Sequence, residues 1–274
     1  MLEPIDYLVV GHLTCDLTPR GQSLGGGASY AALTAKTMGL RAGIVTVCGN
    51  DVSLDSLKGV SVIRVPVERS TTFENHYTEQ GRVQVVHHVA PGVGLSLIPE
   101  EWHSTPILHL SPVAREVEPA LPTFIRPQLL GLSVQGWLRQ WDEQGQVTRS
   151  TWTPSSLCRR GIVFISMEDV SRDEQEIERL AAASRVLLVT DGANGGRLYQ
   201  NSSLSQFSAP RAVEVDATGA GDVFAAAFLA RMYATNNSQE SVRFACQMAA
   251  ISVTRPGLTG ISTPEEVQSC LNRA

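Results

Sequence analysis

The chain has 274 residues, 43% of them hydrophobic and 18% charged, with mean hydropathy near zero and a net charge of −5. That composition describes a globule large enough to bury one sizeable core, as a single α/β domain or one with a small appendage. It excludes a global positive field that would draw the chain to nucleic acid or to an anionic membrane.

The elements follow in chain order. "MLEPIDYLVVG" carries two acids ahead of an apolar run too short for a signal peptide, and no stretch reaches the length of a transmembrane helix. The run "YLVVG" (7–11) predicts a buried parallel strand ending in glycine. "GGGASYAALTAKTMGL" (25–40) predicts a glycine-opened helix that stops at Gly39, and "AGIVTVCG" (42–49) a second strand. Between 60 and 90 the pattern turns to Thr, Val and Tyr, with a "QG" break, and predicts an antiparallel flap on the edge of the sheet. "PILHL", "LLGLS", "IVFIS" and "RVLLVTDG" again predict buried strands, with helical stretches such as 171–184 between most of them. The tail predicts helices over 220–234 and 238–254 and a short last one from Thr263. This alternation predicts a mostly parallel sheet covered on both faces, with ligands outside the carboxyl ends of its strands. Five scattered cysteines, with no CxxC pair, argue against a disulfide framework or a zinc site and fit a reducing cytoplasm.

The densest chemistry lies in "EVDATGAGDVFAAAF" (214–228). Gly219, Ala220 and Gly221 leave backbone N–H groups unshielded where an apolar helix begins, and the helix dipole makes that turn a cradle for an anion. Asp222, in the first turn, is placed to take a proton from a hydroxyl attacking a docked anion with a good leaving group. The chain lacks the phosphate-loop pattern G-x-x-x-x-G-K-[ST] and has no G-x-G-x-x-G after its first strand, which argues against those two nucleotide-binding designs.

"DATGAGDVFAAAF" resembles the C-terminal signature of the ribokinase-like, or PfkB, carbohydrate kinase family. "LGGGASYAALTAKTMGL" resembles its N-terminal di-glycine motif, and "ISVTRPGLTGISTPEEV" its usual ending. The resemblance spans essentially the whole chain. It implies a three-layer α/β/α sandwich over 1–274, with a mostly parallel central sheet and a small, reduced β lid whose strands lie within about 60–90. It also implies transfer of the γ-phosphoryl group of ATP to a hydroxyl of a small sugar or cyclitol, with Asp222 as base and Gly219, Ala220 and Gly221 as the anion hole.

The remaining roles are carried over residue by residue. Asp16, Gly25 and Gly26 would meet substrate hydroxyls. Thr190, Gly192 and Asn194 would face the nucleotide. Asp169, in "ISMEDV", would order Mg²⁺-bound water; the family's amide is replaced there by Ser166, and capping by Ser166 is the competing reading. Asp216 and Thr218 would sit where many members hold a monovalent cation such as K⁺, together with carbonyls of the 254–260 loop. Tyr30 stands where most members have Asn, either as a substrate contact or as a core aromatic. "SVQGWLR" (133–139) is similar to the D-x-Q-x-x-x-R segment of inositol-kinase-like members, with Ser133 in place of Asp. It nominates Gln135 and Arg139, unless Arg139 is only an exposed cation. In the flap, Asn75, Arg82 and Gln84 are candidate contacts, with Phe73 and Tyr77 as candidate stacking aromatics. The expected partners are a polyol and ATP, with no nucleic acid and no membrane, in a monomer or homodimer. A nucleoside kinase of the same family, or a catalytically silent sugar or nucleotide sensor, is the alternative.

Overall fold

The computed structural model describes residues 2–19, 21–78 and 81–273. The first half of the chain runs β1 (Tyr7–Val10), β2 (Thr14–Thr18), β3 (Gly21–Gly25), α1 (Gly27–Thr37), β4 (Ala42–Cys48), β5 (Ser61–Pro66), β6 (Thr72–Thr78), β7 (Gly81–His88), β8 (Ile107–Leu110) and β9 (Leu129–Ser133). The second half runs β10 (Arg139–Trp141), β11 (Val147–Arg149), β12 (Ile162–Ser166), α2 (Glu174–Ala183), β13 (Val186–Thr190), β14 (Gly196–Gln200), β15 (Ser203–Phe207), α3 (Ala220–Thr235), α4 (Ser238–Ser252) and α5 (Pro264–Leu271).

Nine strands make the central sheet, in the order β15-β14-β13-β12-β9-β8-β1-β4-β5. From β13 to β5 all neighbours are parallel; β14 and β15 close one edge as an antiparallel hairpin. The apolar runs of β1, β4 and β8 are buried along their whole length, as strands covered on both faces must be. One face packs on α1, α3, α4 and α5 through a core that includes Phe164, Phe224, Phe228 and Phe244. The other is covered by α2 and by 3-10 turns and loops that bring in Trp102 and Trp137. The fold is therefore the α/β/α sandwich, with one layer only partly helical.

α3 is apolar on nearly every side because it is sandwiched between the sheet, α1 and α4, and its alanines let the neighbours approach closely. Phe228 is fully buried against Phe164 and Phe224, so truncating it to alanine costs about 3–5 kcal/mol.

The lid departs from expectation in three ways. Ser61–Pro66 is β5, paired in parallel with β4 at the edge of the central sheet, because its residues are half-covered there. The short stretch between the first strand and the glycines folds into the β2–β3 hairpin. And β3-β2-β6-β7 form a separate four-stranded sheet rather than a flap continuing the central one. The predicted hairpin survives as β6–β7, but part of its "QG" turn lies outside the described residues.

Candidate active site

A cavity of about 350 Å³ opens at the carboxyl ends of the parallel strands, between the central sheet and the lid. Both glycine motifs reach it. Gly26 and Gly27 arrive at the start of α1, and Gly219, Ala220, Gly221 and Asp222 at the start of α3.

How the helices begin separates these two from the rest. α2, α4 and α5 are capped by the side chains of Asp173, Asn237 and Thr263, which accept hydrogen bonds from first-turn N–H groups. The N-cap residues of α1 and α3 are Gly26 and Gly219, with φ of 87° and 77° and no side chain to cap anything. Glycine takes such a φ without strain and brings no side chain to cap the first turn, but one predicted anion-hole donor is already engaged: the Ala220 N–H donates to Ala217 O at 3.2 Å. The two uncapped ends also meet each other. A Cβ placed on Gly27 would lie 2.5 Å from Asp222 Oδ1 and would collide with Ser111 Oγ. Motifs some 190 residues apart in sequence are thus in contact at the Asp222 carboxylate. Gly221, by contrast, has no protein atom within 4 Å of where a Cβ would sit.

Tyr30 is buried, with its ring against Gly219 and its hydroxyl toward Gly257, so it forms wall between the α3 turn and the 257 loop while still lining the cavity. Asp216 is turned away from the cavity. Its Oδ1 accepts from Thr218 N at 2.9 Å and its Oδ2 from Gly257 N at 2.8 Å, which ties the two loops together. Thr218 lines the cavity.

Beneath the lid, Asp16 accepts a hydrogen bond from Thr14 Oγ1 at 2.7 Å, and a side chain on Gly25 would strike its carboxylate. Asn75 accepts from Gln84 Nε2 at 2.8 Å, and both line the cavity. The side chains of Tyr77 and Arg82 lie outside the described residues. Arg139 is not a surface cation: it is 9% exposed, donates to Val113 O at 2.9 Å and stands over the Phe73 ring at 5.5 Å. Gln135 Nε2 donates to Asp169 Oδ1 at 2.6 Å, and Ser166 Oγ donates to Asp169 Oδ2 at 2.7 Å. Asp169 is therefore held by two side chains, while its neighbour Glu168 is exposed on the same wall. Thr190 and Gly192 line the cavity; Asn194 is exposed and bonds Asp191 instead.

Sequence reasoning missed one stretch of wall. The cavity wall also takes in Phe207, Ala209, Pro210, Ala212, Phe224, Cys246, Ala249, Ala250 and Val253, an apolar stretch. Its only signal in sequence was a run of small residues on α4 at helical spacing, which reads equally as core packing.

Among the described residues no cluster of three His, Cys, Asp or Glu side chains is arranged to hold a metal, and no helix is long and apolar enough to cross a membrane.

The model of the pfkB family of carbohydrate kinases matches residues 165–266. The chain is 25% identical over 265 residues to a cytidine kinase of Thermococcus kodakarensis, an alignment covering 89% of this chain and 95% of that one. Its fold is ribokinase-like. It superposes with a TM-score of 0.79 and 19% identity on a pyrophosphate-dependent kinase of the ribokinase family complexed with a pyrophosphate analogue and myo-inositol, covering 96% of this chain and 99% of that one. It superposes with a TM-score of 0.70 and 18% identity on an Arabidopsis thaliana ribokinase complexed with ribose and ATP, covering 97% and 98%.

Proposed function

We propose that this chain is a kinase of the ribokinase-like pfkB family, working as one domain over residues 1–274, that transfers the γ-phosphoryl group of ATP to a hydroxyl of a small sugar or cyclitol. The observation that carries the reading is the meeting of the two uncapped helix N-termini at Asp222. One carboxylate stands between an anion cradle and a glycine surface that a polyol can approach closely.

In this reading the acceptor lies under the lid against Asp16, Gly26, Asn75, Gln135 and Arg139. Asp222 accepts the proton of the attacking hydroxyl as the new P–O bond forms. The N–H groups of Gly219 and Gly221, joined by that of Ala220 once it leaves Ala217 O, and the positive end of α3 meet the charge that builds on the transferring phosphoryl oxygens as the bond to ADP breaks. Tyr30, packed on Gly219, keeps that turn in its left-handed conformation.

The apolar stretch of wall from Phe207 to Val253 supports ATP as donor rather than pyrophosphate. It is apolar, the character a nucleobase needs, and a pyrophosphate would leave it unused. Mg²⁺, when bound, would neutralise phosphate charge. The hard oxygens of Glu168 and Asp169 fit an ion that keeps few carboxylates and takes the rest of its shell from water and phosphate. With the Asp216 carboxylate committed to backbone N–H groups, a monovalent cation here would rest mainly on loop carbonyls.

The relationship to a cytidine kinase favours keeping a nucleoside acceptor as the second reading, with Phe73 the aromatic on the cavity wall. The test is ADP release from Mg-ATP with myo-inositol, D-ribose, D-fructose and cytidine offered separately. Turnover with a polyol is the expected result. Turnover with cytidine alone selects the nucleoside reading, and no turnover with a ligand-induced rise in Tm selects a silent sensor.

A further inference from the structure

Behind the cavity floor, three polar side chains form a line across three neighbouring strands. Tyr7 on β1 places its hydroxyl 2.7 Å from Nδ1 of His109 on β8. His109 Nε2 lies 2.8 Å from Oγ of Ser133, the last residue of β9. Tyr7 and His109 are fully buried; Ser133 is 9% exposed and lines the cavity. The Phe164 ring also lies beside the imidazole, at 6.2 Å between centroids. Among the described residues the Tyr7 hydroxyl has a single hydrogen-bond partner, and so does the Ser133 hydroxyl.

The line has a direction. Burial pushes the imidazole of His109 down to about 3, so the ring is neutral at any physiological pH and has one N–H and one lone pair. Burial, reinforced by the charge of Asp222, pushes the Tyr7 phenol well up, so its proton stays on. Two hydrogen-bond orders are then open. If Nδ1 carried the ring proton, it would donate to the Tyr7 oxygen, and the Tyr7 O–H would be a buried donor with no acceptor, at the full desolvation penalty. If Nε2 carries it, every fully buried group is satisfied. Tyr7 donates to Nδ1, Nε2–H donates to Ser133 Oγ, and the Ser133 hydrogen is left pointing at the cavity.

We infer that Ser133 is a specificity-determining contact for the acceptor molecule, held by Tyr7 and His109 as a hydrogen-bond donor toward the cavity, so that the ligand group meeting it must offer a lone pair. An ether oxygen, a carbonyl oxygen or a hydroxyl oxygen used as acceptor satisfies it. The aspartate found here in the inositol-kinase-like pattern could only accept, and would select a ligand hydroxyl that donates. Tyr7 and His109 are positioning residues, since they reach the ligand only through Ser133. The assignment rests on the kinase reading for the identity of the ligand, but the order of the hydrogen bonds does not.

Two measurements test it. Long-range ¹H–¹⁵N spectra of the labelled full chain should show His109 protonated at Nε2 and unprotonated at Nδ1; the opposite tautomer overturns the inference. Kinetics with whichever of myo-inositol, D-ribose, D-fructose or cytidine is turned over should show Ser133→Ala raising the acceptor KM about 5- to 10-fold with the ATP KM unchanged. Tyr7→Phe, which frees the ring to adopt either tautomer, should raise it less. His109→Leu should match Ser133→Ala, and His109→Gln, which keeps an N–H for Ser133, should restore most of the affinity. An unchanged acceptor KM in Ser133→Ala, or equal changes in both KM values, overturns the contact. Absence of turnover with every acceptor counts against the kinase reading, and the tautomer still decides the direction of the line.

Discussion

In the kinase reading proposed above the cavity has a donor end and an acceptor end, and the two are built from different parts of the chain. The donor end around α3 is backbone: an uncapped helix start, three residues with no functional side chain, and one carboxylate, all within four consecutive positions. The acceptor end is side chains. Asp16 comes from β2, Asn75 from β6, Gln84 from β7, Ser133 from β9, Gln135 from the following turn and Arg139 from the start of β10. A phosphate looks much the same whatever molecule carries it, so a fixed backbone cradle serves. A polyol must be told from its isomers, and only positioned side chains can do that. In the proposed reading, the chemistry of the reaction is therefore concentrated at one end and its selectivity at the other.

The largest effect is expected where the two ends touch. Asp222→Asn keeps the shape and removes the base, so kcat should fall by about 10²–10⁴. Helix α3 loses a favourable charge near its N-terminus, about 0.3–1 kcal/mol, while the isosteric amide keeps the carboxylate's shape, so Tm should move by a few degrees. Binding of ATP, followed by fluorescence or calorimetry, should survive. Turnover within a few-fold of the parent would break the comparison, because the carboxylate would then be a helix-start residue like Asp173 rather than the point at which the two ends meet.

A smaller and more diagnostic effect is expected at Gly221. Nothing in the protein occupies the space of a Cβ there, and its φ is ordinary for a helix, so Gly221→Ala should stabilise the fold by about 0.4–1 kcal/mol. If the space belongs to a phosphate, the methyl group intrudes on it, and kcat/KM for ATP should drop about tenfold or more. Stability measured by urea unfolding and activity should move in opposite directions. A variant that is both more stable and fully active would show that the bare turn at α3 serves only packing.

The same division explains what could be read from the sequence. The strands from Tyr7 to Thr190 and the helices from Gly27 and Ala220 were legible because continuous apolar runs and helical periodicity are local properties. The uncapped start of α3 was legible in "DATGAGD" because its glycines lie within three consecutive positions. The fate of 61–66 was not legible, since one apolar–polar strand pairs equally well on the central sheet or in the lid, and only the partner decides. The β2–β3 hairpin was missed because its alternation is short and interrupted by a proline and an arginine. Ser133 was noticed only as a departure from a pattern. Its meaning depends on His109 and Tyr7, which lie 24 residues before it and a further 102 before that, and whose hydrogen bonds exist only once β1, β8 and β9 are side by side.

The last expected effect concerns stability alone and belongs to the acceptor end. His109 is held neutral in the fold with its pKa near 3, whereas an unfolded histidine titrates near 6.5. A depressed folded pKa means that the unfolded state binds the proton first. The stability due to this residue is therefore whole above about pH 6.5 and declines as pH falls toward the folded value, by up to about 1.4 kcal/mol per pH unit. Carboxylates such as Asp6, whose pKa the Arg41 guanidinium lowers, add their own loss at lower pH, near and below 4. Comparing urea unfolding of the parent and His109→Gln at pH 7 and pH 5 isolates the imidazole. The variant should be less stable at pH 7 but should lose less on acidification, so that the two curves converge. Parallel curves would mean that water reaches His109 and lets it charge in place, and the acceptor end would then be as solvated as the donor cradle it is contrasted with.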